Sequence, residues 1–276
     1  MISRKKTLTL GESFRRLRQQ KRMGLVPFVA GGFPELLALG PVLEAMGSEE
    51  NARIGVAAIE VGFPFSDPIA DGPTIQAAFT EALAAGVTVA DIFTNVASVR
   101  DRVHVPLVAM VSYSIVYRWG VERFCWEARA AGFGGLIVPD LPPPEAEAVC
   151  DRVRSEGLDT VLLVAPTTRP ERRREIAKLC SGFVYYLSVS GITGQRDGLP
   201  ADLDANVAGL REMTDKPICV GFGIHQSRQV SDLSRVADGA IVGSAIVKRM
   251  GENRAAGPAA VAGAVGEYCR QLLGQA

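Results

Sequence analysis

Short apolar runs alternate with longer segments of helical periodicity along almost the whole chain. The runs predict eight strands: Val26–Ala30, Ala57–Gly62, Leu107–Val111, Gly135–Val138, Thr160–Val164, Phe183–Ser188, Pro217–Val220 and Gly239–Val242. The periodic segments predict helices over residues 11–23, 36–46, 75–85, 121–131, 144–156, 170–179, 203–213, 227–236 and 258–273.

This alternation of strands and helices indicates βαβ units and parallel strand pairing. The strand runs are almost wholly apolar, which is typical of a sheet that is covered on both faces. A chain of 276 residues fits a single α/β domain over residues 1–276, a (β/α)8 TIM barrel with an extra N-terminal helix. A doubly wound open sheet is the competing fold.

Composition narrows the possible functions. Lys and Arg equal Asp and Glu at 30 each, so no net field favours nucleic acid or an anionic membrane. The five cysteines form no C-x-x-C pair and the chain has only two histidines, which argues against a disulfide framework or a metal centre. No apolar run reaches the roughly 20 residues that span a membrane, and we expect a cytoplasmic protein with reduced thiols.

Three carboxylates lie in or just after the second predicted strand, toward the end where barrel enzymes place their active sites. Glu60 interrupts the apolar strand itself, and Asp67 and Asp71 lie in the proline-rich loop behind it. A buried carboxyl group with a raised pKa suits general acid–base catalysis, although a strand glutamate can also be paired with a cation or point outward. Each loop aspartate alone can equally be a turn or cap residue.

Glycine-bearing segments follow the last three predicted strands, at residues 190–194, 221–224 and 243–247. Glycine lets backbone N–H groups approach an anion closely, and barrels often bind phosphate after strands 7 and 8. The segments can also be ordinary strand-to-helix turns. Their order along the chain favours a phosphate site.

The residues around Glu60 also resemble a known family. Residues 60–68 (EVGFPFSDP) and 70–76 (ADGPTIQ) are similar to the signature of the tryptophan synthase α chain. The similarity extends over nearly the whole chain through Pro27-Phe28, residues 139–142 (PDLP), Ala165-Pro166, Tyr185 and the three glycine segments. It implies retro-aldol cleavage of indole-3-glycerol phosphate to indole and glyceraldehyde 3-phosphate.

The resemblance also implies roles for individual residues. Glu60 is expected to be the general acid and base, Asp71 to hold the indole N–H, and Tyr185 to be the active-site tyrosine. Phe28 and Ile137 are expected to line the indole pocket. The phosphate would be bound by Gly194, Gly223, Gly243 and Ser244.

The partner and cofactor expectations come from the same resemblance. The family pairs with a β chain, in an α2β2 heterotetramer, and pyridoxal phosphate is expected only in that partner. Neither a metal nor an organic cofactor is implied for this chain. The loop from residue 191 to 200 and the segment from Glu60 to Pro73 are expected to close over substrate. Pro64, Asp67 and Pro142 are expected at the partner interface or in loop structure.

The sequence departs from the family pattern in three places. Ser112 stands where the family usually has a tyrosine on the pocket side, and the Asn-Pro pair that normally follows is missing. The stretch from Gly47 to Gly55 looks like a surface insertion, and His225 stands where a small polar residue is typical.

The rival functions are a stand-alone indole-forming lyase, a non-catalytic barrel that regulates a partner, and another phosphosugar enzyme.

Overall fold

The computed structural model describes residues 8–67, 71–188, 199–221 and 223–274. Eight parallel strands close into a barrel in chain order, which confirms the barrel prediction over the open sheet. The strands are β1 Gly24–Ala30, β2 Ile59–Gly62, β3 Leu107–Met110, β4 Phe133–Ile137, β5 Asp159–Val164, β6 Val184–Leu187, β7 Ile218–Gly221 and β8 Gly239–Val242.

Helices surround the barrel. They are α1 Leu10–Gln19, α2 Leu36–Met46, α3 Glu49–Ile54, α4 Pro73–Ala84, α5 Val89–Val99, α6 Tyr113–Trp119, α7 Val121–Ala131, α8 Pro143–Ser155, α9 Pro170–Leu179, α10 Leu203–Arg211, α11 Ser227–Leu233, α12 Ser244–Glu252 and α13 Pro258–Leu272. Two short 3-10 helices cover Arg100–Arg102 and Arg254–Ala256.

The sequence pattern located all eight strands to within two residues at either end. It did not predict α3, α5, α6 or α12. The expected surface insertion at residues 47–55 contains α3, and two of its residues are buried. The Asn51 side-chain amide donates hydrogen bonds to the carbonyls of Ala45 and Gly266, so the segment is tied into the helical layer. The segment is therefore a short helix that exposes Glu49, Glu50 and Arg53 and packs its buried side onto the helical layer.

Alternation along the strands separates two cores. In β2, Ile59 and Val61 face the surrounding helices, whereas Ala58 just before it faces the barrel interior. Because side chains alternate along a strand, Glu60 shares the interior side with Ala58. The interior cluster also includes Val108, Ile137 and Tyr185.

Helix α1 closes the end of the barrel at which the strands begin. Its Leu10, Phe14 and Leu17 belong to the interior cluster and are at most 1% exposed. Glycines in the strands and adjoining loops make room for them: a Cβ on Gly24 would lie 2.8 Å from the Phe14 ring, and one on Gly182 would lie 2.8 Å from Leu10. Helix α1 thus fills the end of the barrel that these glycines line, and we call it the plug.

A charged network holds this plug in place. Asp238, just before β8, accepts hydrogen bonds from Arg18 Nε at 2.6 Å, from Arg211 and from the backbone N–H of Ile218 at 2.8 Å. Burial raises the pKa of Asp238, but these donors outweigh it and leave the pKa below its ordinary value. The carboxylate therefore stays charged at neutral pH and joins α1 to β7 and β8.

Within the described ranges no single helix is long and apolar enough to cross a bilayer. One pair, Pro73–Ala84 with Val89–Arg102, meets the criteria of length and composition only if it is taken together across a bend of 100°.

Candidate active site

A cavity of about 300 Å³ opens at the carboxyl ends of the strands, opposite the plug. Its wall is mainly apolar, with five polar side chains. The lining residues are Phe63, Phe65, Asp67, Asp71, Phe79, Met110, Val111, Ser112, Pro139, Asp140, Leu163, Tyr185 and Leu187. Its position agrees with the face on which barrel enzymes carry their active sites.

Glu60 is 1% exposed and lies on β2, three residues before Phe63 of the cavity wall, without belonging to the lining set itself. Its Oε1 atom has no hydrogen-bond partner among the described residues. Burial raises the pKa of Glu60 well above its ordinary value. Such surroundings favour the protonated form of the carboxyl group, which can donate its proton. The outward-pointing or ion-paired alternative does not apply within the described structure.

Asp71 lies on the cavity wall, just before the N-terminus of α4. Burial raises the pKa of its carboxyl group to about 6. The Asp71 backbone carbonyl accepts a hydrogen bond from Gln76 Nε2 at 2.8 Å, which fixes the entry into the helix. At pH 7 the side chain is mostly ionised and offers a negative charge to a donor in the cavity.

Tyr185 brings the third predicted group to the same place. It extends from β6, lines the cavity and has a strongly raised pKa, first through burial and then through the negative charges of Glu60 and Asp71. Its hydroxyl oxygen lies 2.7 Å from the point that a Cβ on Gly221 would occupy. The phenol therefore stays protonated, and the absence of a side chain at residue 221 makes room for it.

The two residues expected in the indole pocket lie behind the lining residues. Phe28 packs edge-on against Phe79, with ring centroids 6.3 Å apart, and Phe79 is itself on the wall. Ile137 is fully buried in the barrel interior. Neither belongs to the lining set of the cavity. The lining aromatics Phe63, Phe65 and Phe79 were not singled out from the sequence. Phe63 directly follows β2, Phe65 lies in the loop behind it, and Phe79 belongs to α4.

The glycine segments after β7 and β8 lie on the same face of the barrel. Gly243 is the N-cap of α12 and Ser244 is the first residue of that helix. A Cβ on Gly243 would lie 3.4 Å from Ile75 and 3.7 Å from Phe28, so the start of α12 adjoins the wall that carries Asp71. Gly223 follows β7, and Gly194 lies outside the described residues together with most of the expected closing loop at residues 191–200.

His225 stabilises the turn after Gly223. Its Nδ1 atom lies 2.9 Å from the Gly223 carbonyl oxygen, and its backbone N–H donates to Gln229 Oε1 at 2.9 Å. Its own carbonyl accepts a hydrogen bond from the Tyr268 hydroxyl at 2.7 Å. The ring is thus part of the turn that precedes α11, next to the predicted phosphate glycine.

Ser112 occupies the cavity wall at the end of β3. Its hydroxyl donates to Asp140 Oδ2 at 2.6 Å, and the Tyr113 backbone N–H donates to Asp140 Oδ1 at 2.7 Å. The carboxylate of Asp140 therefore joins the loop after β4 to the start of α6. This contact fixes the backbone in the segment where the Asn-Pro pair is missing.

A second groove lies behind the loop that follows β2. It also measures about 300 Å³ and includes Pro64, Leu83, Ile115 and Arg118. Phe63 and Phe65 line both this groove and the cavity. Asp67 is exposed on the loop and accepts a hydrogen bond from Ser66 at 2.8 Å, whereas Pro142 is half-buried as the N-cap of α8.

The part of the chain that the structure describes contains no cluster of three or more His, Cys, Asp or Glu side chains that could hold a metal ion. All five cysteines are buried and free. The expectation that this chain uses no metal stays a prediction.

Comparison with known proteins assigns the family. The family model described as tryptophan synthase alpha chain matches residues 14–273. The tryptophan synthase alpha chain of Chloroflexus aggregans is 44% identical over 266 residues, which cover 95% of this chain and 96% of that protein. The one from Synechocystis is 42% identical and covers 94% of this chain and 96% of that protein.

Solved structures agree in fold. A mutant tryptophan synthase alpha-subunit from Pyrococcus furiosus superposes with a TM-score of 0.81 at 34% identity, covering 91% of this chain and 98% of that one. A structure from Aquifex aeolicus gives a TM-score of 0.83 at 32% identity over 96% of this chain and 98% of that one. The chain belongs to the tryptophan synthase alpha chain family.

Proposed function

We propose that Glu60, Asp71 and Tyr185 carry out the reaction of this chain, the cleavage of indole-3-glycerol phosphate to indole and glyceraldehyde 3-phosphate. That reaction makes the chain a carbon–carbon lyase and the α subunit of tryptophan synthase in tryptophan biosynthesis. The observation that carries the assignment of residues is the buried carboxyl group of Glu60, whose Oε1 has no partner among the described residues and whose charge acts on Tyr185, a residue that lines the cavity together with Asp71.

The proton transfers of the retro-aldol step balance through Glu60 alone. Its proton goes to C3 of the indole ring, which leaves a positive charge on the ring nitrogen. The bond from C3 to the neighbouring carbinol carbon then breaks, and its electron pair returns to the ring. The carbinol becomes the aldehyde, and its hydroxyl proton returns to the Glu60 carboxylate. A general acid–base group in this role contributes about 10²–10⁴-fold to the rate.

Asp71 and Tyr185 support the charges that arise during this step. The Asp71 carboxylate is mostly ionised at neutral pH and accepts the indole N–H, so the positive ring is stabilised where it forms. The Tyr185 phenol keeps its proton and remains a hydrogen-bond donor near the reacting oxygen. Phe28 and Ile137 support the cavity from behind.

The phosphate is placed at the other side of the same face. Gly194, Gly223, Gly243 and Ser244 provide backbone N–H groups and one hydroxyl, and the N-terminus of α12 adds its dipole. This arrangement is supported by the position of Gly243 beside Phe28 and Ile75. It orients the glycerol phosphate so that the indole ring extends across the cavity.

The partner is a β chain with pyridoxal phosphate, in an α2β2 heterotetramer, and this chain itself uses neither a metal nor an organic cofactor. The face around Pro64, Asp67 and Pro142 contacts that chain. Support comes from the groove behind the β2 loop and from Tyr117 on α6, which is 69% exposed. Because Phe63 and Phe65 line both groove and cavity, a partner in the groove would act directly on the active-site loop. The whole chain is one domain and works in the cytoplasm.

Indole release from indole-3-glycerol phosphate tests the proposal, measured with the chain alone and with the β chain of the same organism. We expect stimulation by the β chain, and loss of at least about a hundredfold in kcat for Glu60→Gln. The exposed Glu147 on α8 gives the matched control, Glu147→Gln, with unchanged release. Unchanged release by Glu60→Gln would refute the role of Glu60. No complex and no stimulation would instead indicate a stand-alone lyase.

A further inference from the structure

Two polar residues on the cavity wall have no task in the chemistry described above. Ser112 and Asp140 stand next to each other at the ends of β3 and β4, joined by the hydrogen bond from the Ser112 hydroxyl. Around them the wall is made of apolar groups such as Met110, Val111 and Pro139. A polar pair in such surroundings is the kind of feature that determines ligand selectivity.

The closed barrel fixes where this pair lies relative to the proposed phosphate site. Strands follow in the order β1 to β8, so β3 stands opposite β7 and β4 stands opposite β8. The phosphate residues Gly223, Gly243 and Ser244 follow β7 and β8. A substrate whose phosphate lies there and whose indole ring extends across the cavity therefore directs its benzo ring at Ser112 and Asp140.

The pair leaves both space and hydrogen-bonding capacity at that end. Serine is small, and its side chain here is half-buried, while Asp140 is exposed, so the cavity opens to solvent at this point. Each Asp140 oxygen accepts one hydrogen bond, from Ser112 or from the Tyr113 N–H. A carboxylate oxygen has a second acceptor site, so the group can bind one further donor.

We propose that Ser112 and Asp140 form a subsite for a substituent on the benzo ring, so that this chain cleaves ring-substituted indole-3-glycerol phosphates as well as the parent compound. The inference rests on the proposed function and names a wider substrate class for the same site. A hydroxyl substituent fits better than a methyl group of similar size, because it can donate to Asp140. A tyrosine at residue 112 would fill the space.

The test compares kcat/KM for the parent substrate with its 4-, 5-, 6- and 7-methyl analogues, using the full chain with its β chain. We expect at least one analogue to react within about tenfold of the parent, since a pocket without room rejects an extra carbon by about tenfold or more. Ser112→Tyr should lower kcat/KM for that analogue at least tenfold more than for the parent. Ser112→Val, a smaller replacement, should change the same ratio in the same direction.

Ser98→Tyr supplies the matched control, because it adds the same ring on the exposed face of α5 and should leave the ratio unchanged. At the best-tolerated position the hydroxyl analogue should exceed the methyl analogue by about threefold, and Asp140→Asn should remove that preference. Rejection of all four methyl analogues, or an equal loss for parent and analogue in both Ser112 variants, would overturn the subsite. Failure to cleave the parent would instead refute the proposed function.

Discussion

The two ends of the barrel each bury a carboxyl group, and the two groups behave in opposite ways. At the end closed by α1, Asp238 is surrounded by donors from Arg18, Arg211 and Ile218, and its pKa is lowered. At the open end, Glu60 has an oxygen without a partner among the described residues, and its pKa is raised. Burial alone does not set the pKa of a carboxyl group, because donors around it act in the opposite direction.

The comparison separates a structural end from a functional one. The plug end gains stability from the buried side chains of α1 and from the hydrogen bonds to Asp238. The cavity end leaves space and an unsatisfied acid, both of which cost stability and can be used by a substrate. Substitutions at the plug end should therefore affect unfolding, and substitutions at the cavity end should affect the reaction.

The largest effect is expected at the centre of the plug. Phe14→Ala removes a fully packed ring, and we expect a loss of about 3–5 kcal/mol in the free energy of unfolding. Denaturant unfolding measures it, with Phe14→Leu as a milder variant. KM for indole-3-glycerol phosphate should stay unchanged under conditions in which the variant is folded. A changed KM with unchanged stability would contradict the division between the two ends.

Asp238→Asn should have the next largest effect. It removes the charge that Arg18 and Arg211 share, and because both arginines are partly exposed we expect a loss of about 2–3 kcal/mol in unfolding free energy, below the range for a fully buried pair. The lowered pKa gives the sign of the pH effect: the stabilisation is present above the unfolded pKa of 3.8 and is lost as the pH falls through the folded pKa.

Asp232→Asn is the matched control, because Asp232 lies 3.9 Å from Arg228 on the exposed side of α11. We expect less than about 1 kcal/mol there. If Asp238→Asn lowered the free energy of unfolding equally at pH 3 and pH 7, the ionised Asp238 carboxylate would not be the source of the stabilisation.

Glu60→Gln should give the opposite pH effect. Between the unfolded pKa of 4.5 and the higher folded pKa, Glu60 is protonated in the folded protein and ionised in the unfolded chain. The free energy of unfolding is therefore highest below pH 4.5 and declines as the pH rises toward the folded pKa. The variant, which has no group to ionise here, should therefore gain stability over the wild type as the pH rises above 4.5. Melting temperatures between pH 4.5 and pH 8 measure the gain, and a gain that is absent at every pH would argue against a neutral Glu60.

The smallest expected effect is a decrease of kcat/KM on the acid side of its pH profile. Asp71 has a pKa of about 6, so kcat/KM should fall by half near pH 6 as its carboxylate is protonated and stops stabilising the indole nitrogen. The pH profile of Asp71→Asn should lack this decrease, and its kcat/KM should be lower at every pH. If the variant still showed a decrease centred at pH 6, another group would be responsible for it.

Strands were predicted well because the pattern of apolar runs is local. The runs at Leu107–Val111 and Gly239–Val242, for example, stand out against polar neighbours, and both form strands. Three of the missed helices, α3, α6 and α12, have only 6, 7 and 9 residues, and α12 directly follows Gly243. The α5 helix carried a usable signal, the capping box of Thr88 and Asp91, that the apolar pattern alone does not contain.

The site was predictable only in part, for a similar reason. Glu60 and Asp71 stand out as acids at a strand end, and Tyr185 came from the resemblance. Asp71 and Tyr185 line one cavity, and the charges of Glu60 and Asp71 both act on Tyr185. The aromatic wall depends on how the β2 loop and α4 pack against the barrel, and no spacing in the sequence encodes that. Asp140 accepts hydrogen bonds from Ser112 and Tyr113, which lie 28 and 27 positions before it in the sequence. Contacts over such distances are seen only in the folded chain.

The glycines at the plug end have a consequence for how the chain is assembled. Gly24, Gly135, Gly182 and Gly239 approach Phe14 or Leu10 so closely that a Cβ at any of them would lie within 2.8–3.1 Å of these side chains. The barrel is in this respect a receptor, and α1 is a peptide ligand that is covalently attached to it. Four residues separate the end of α1 from the start of β1, so the tether keeps the local concentration of the ligand high and this end of the barrel filled.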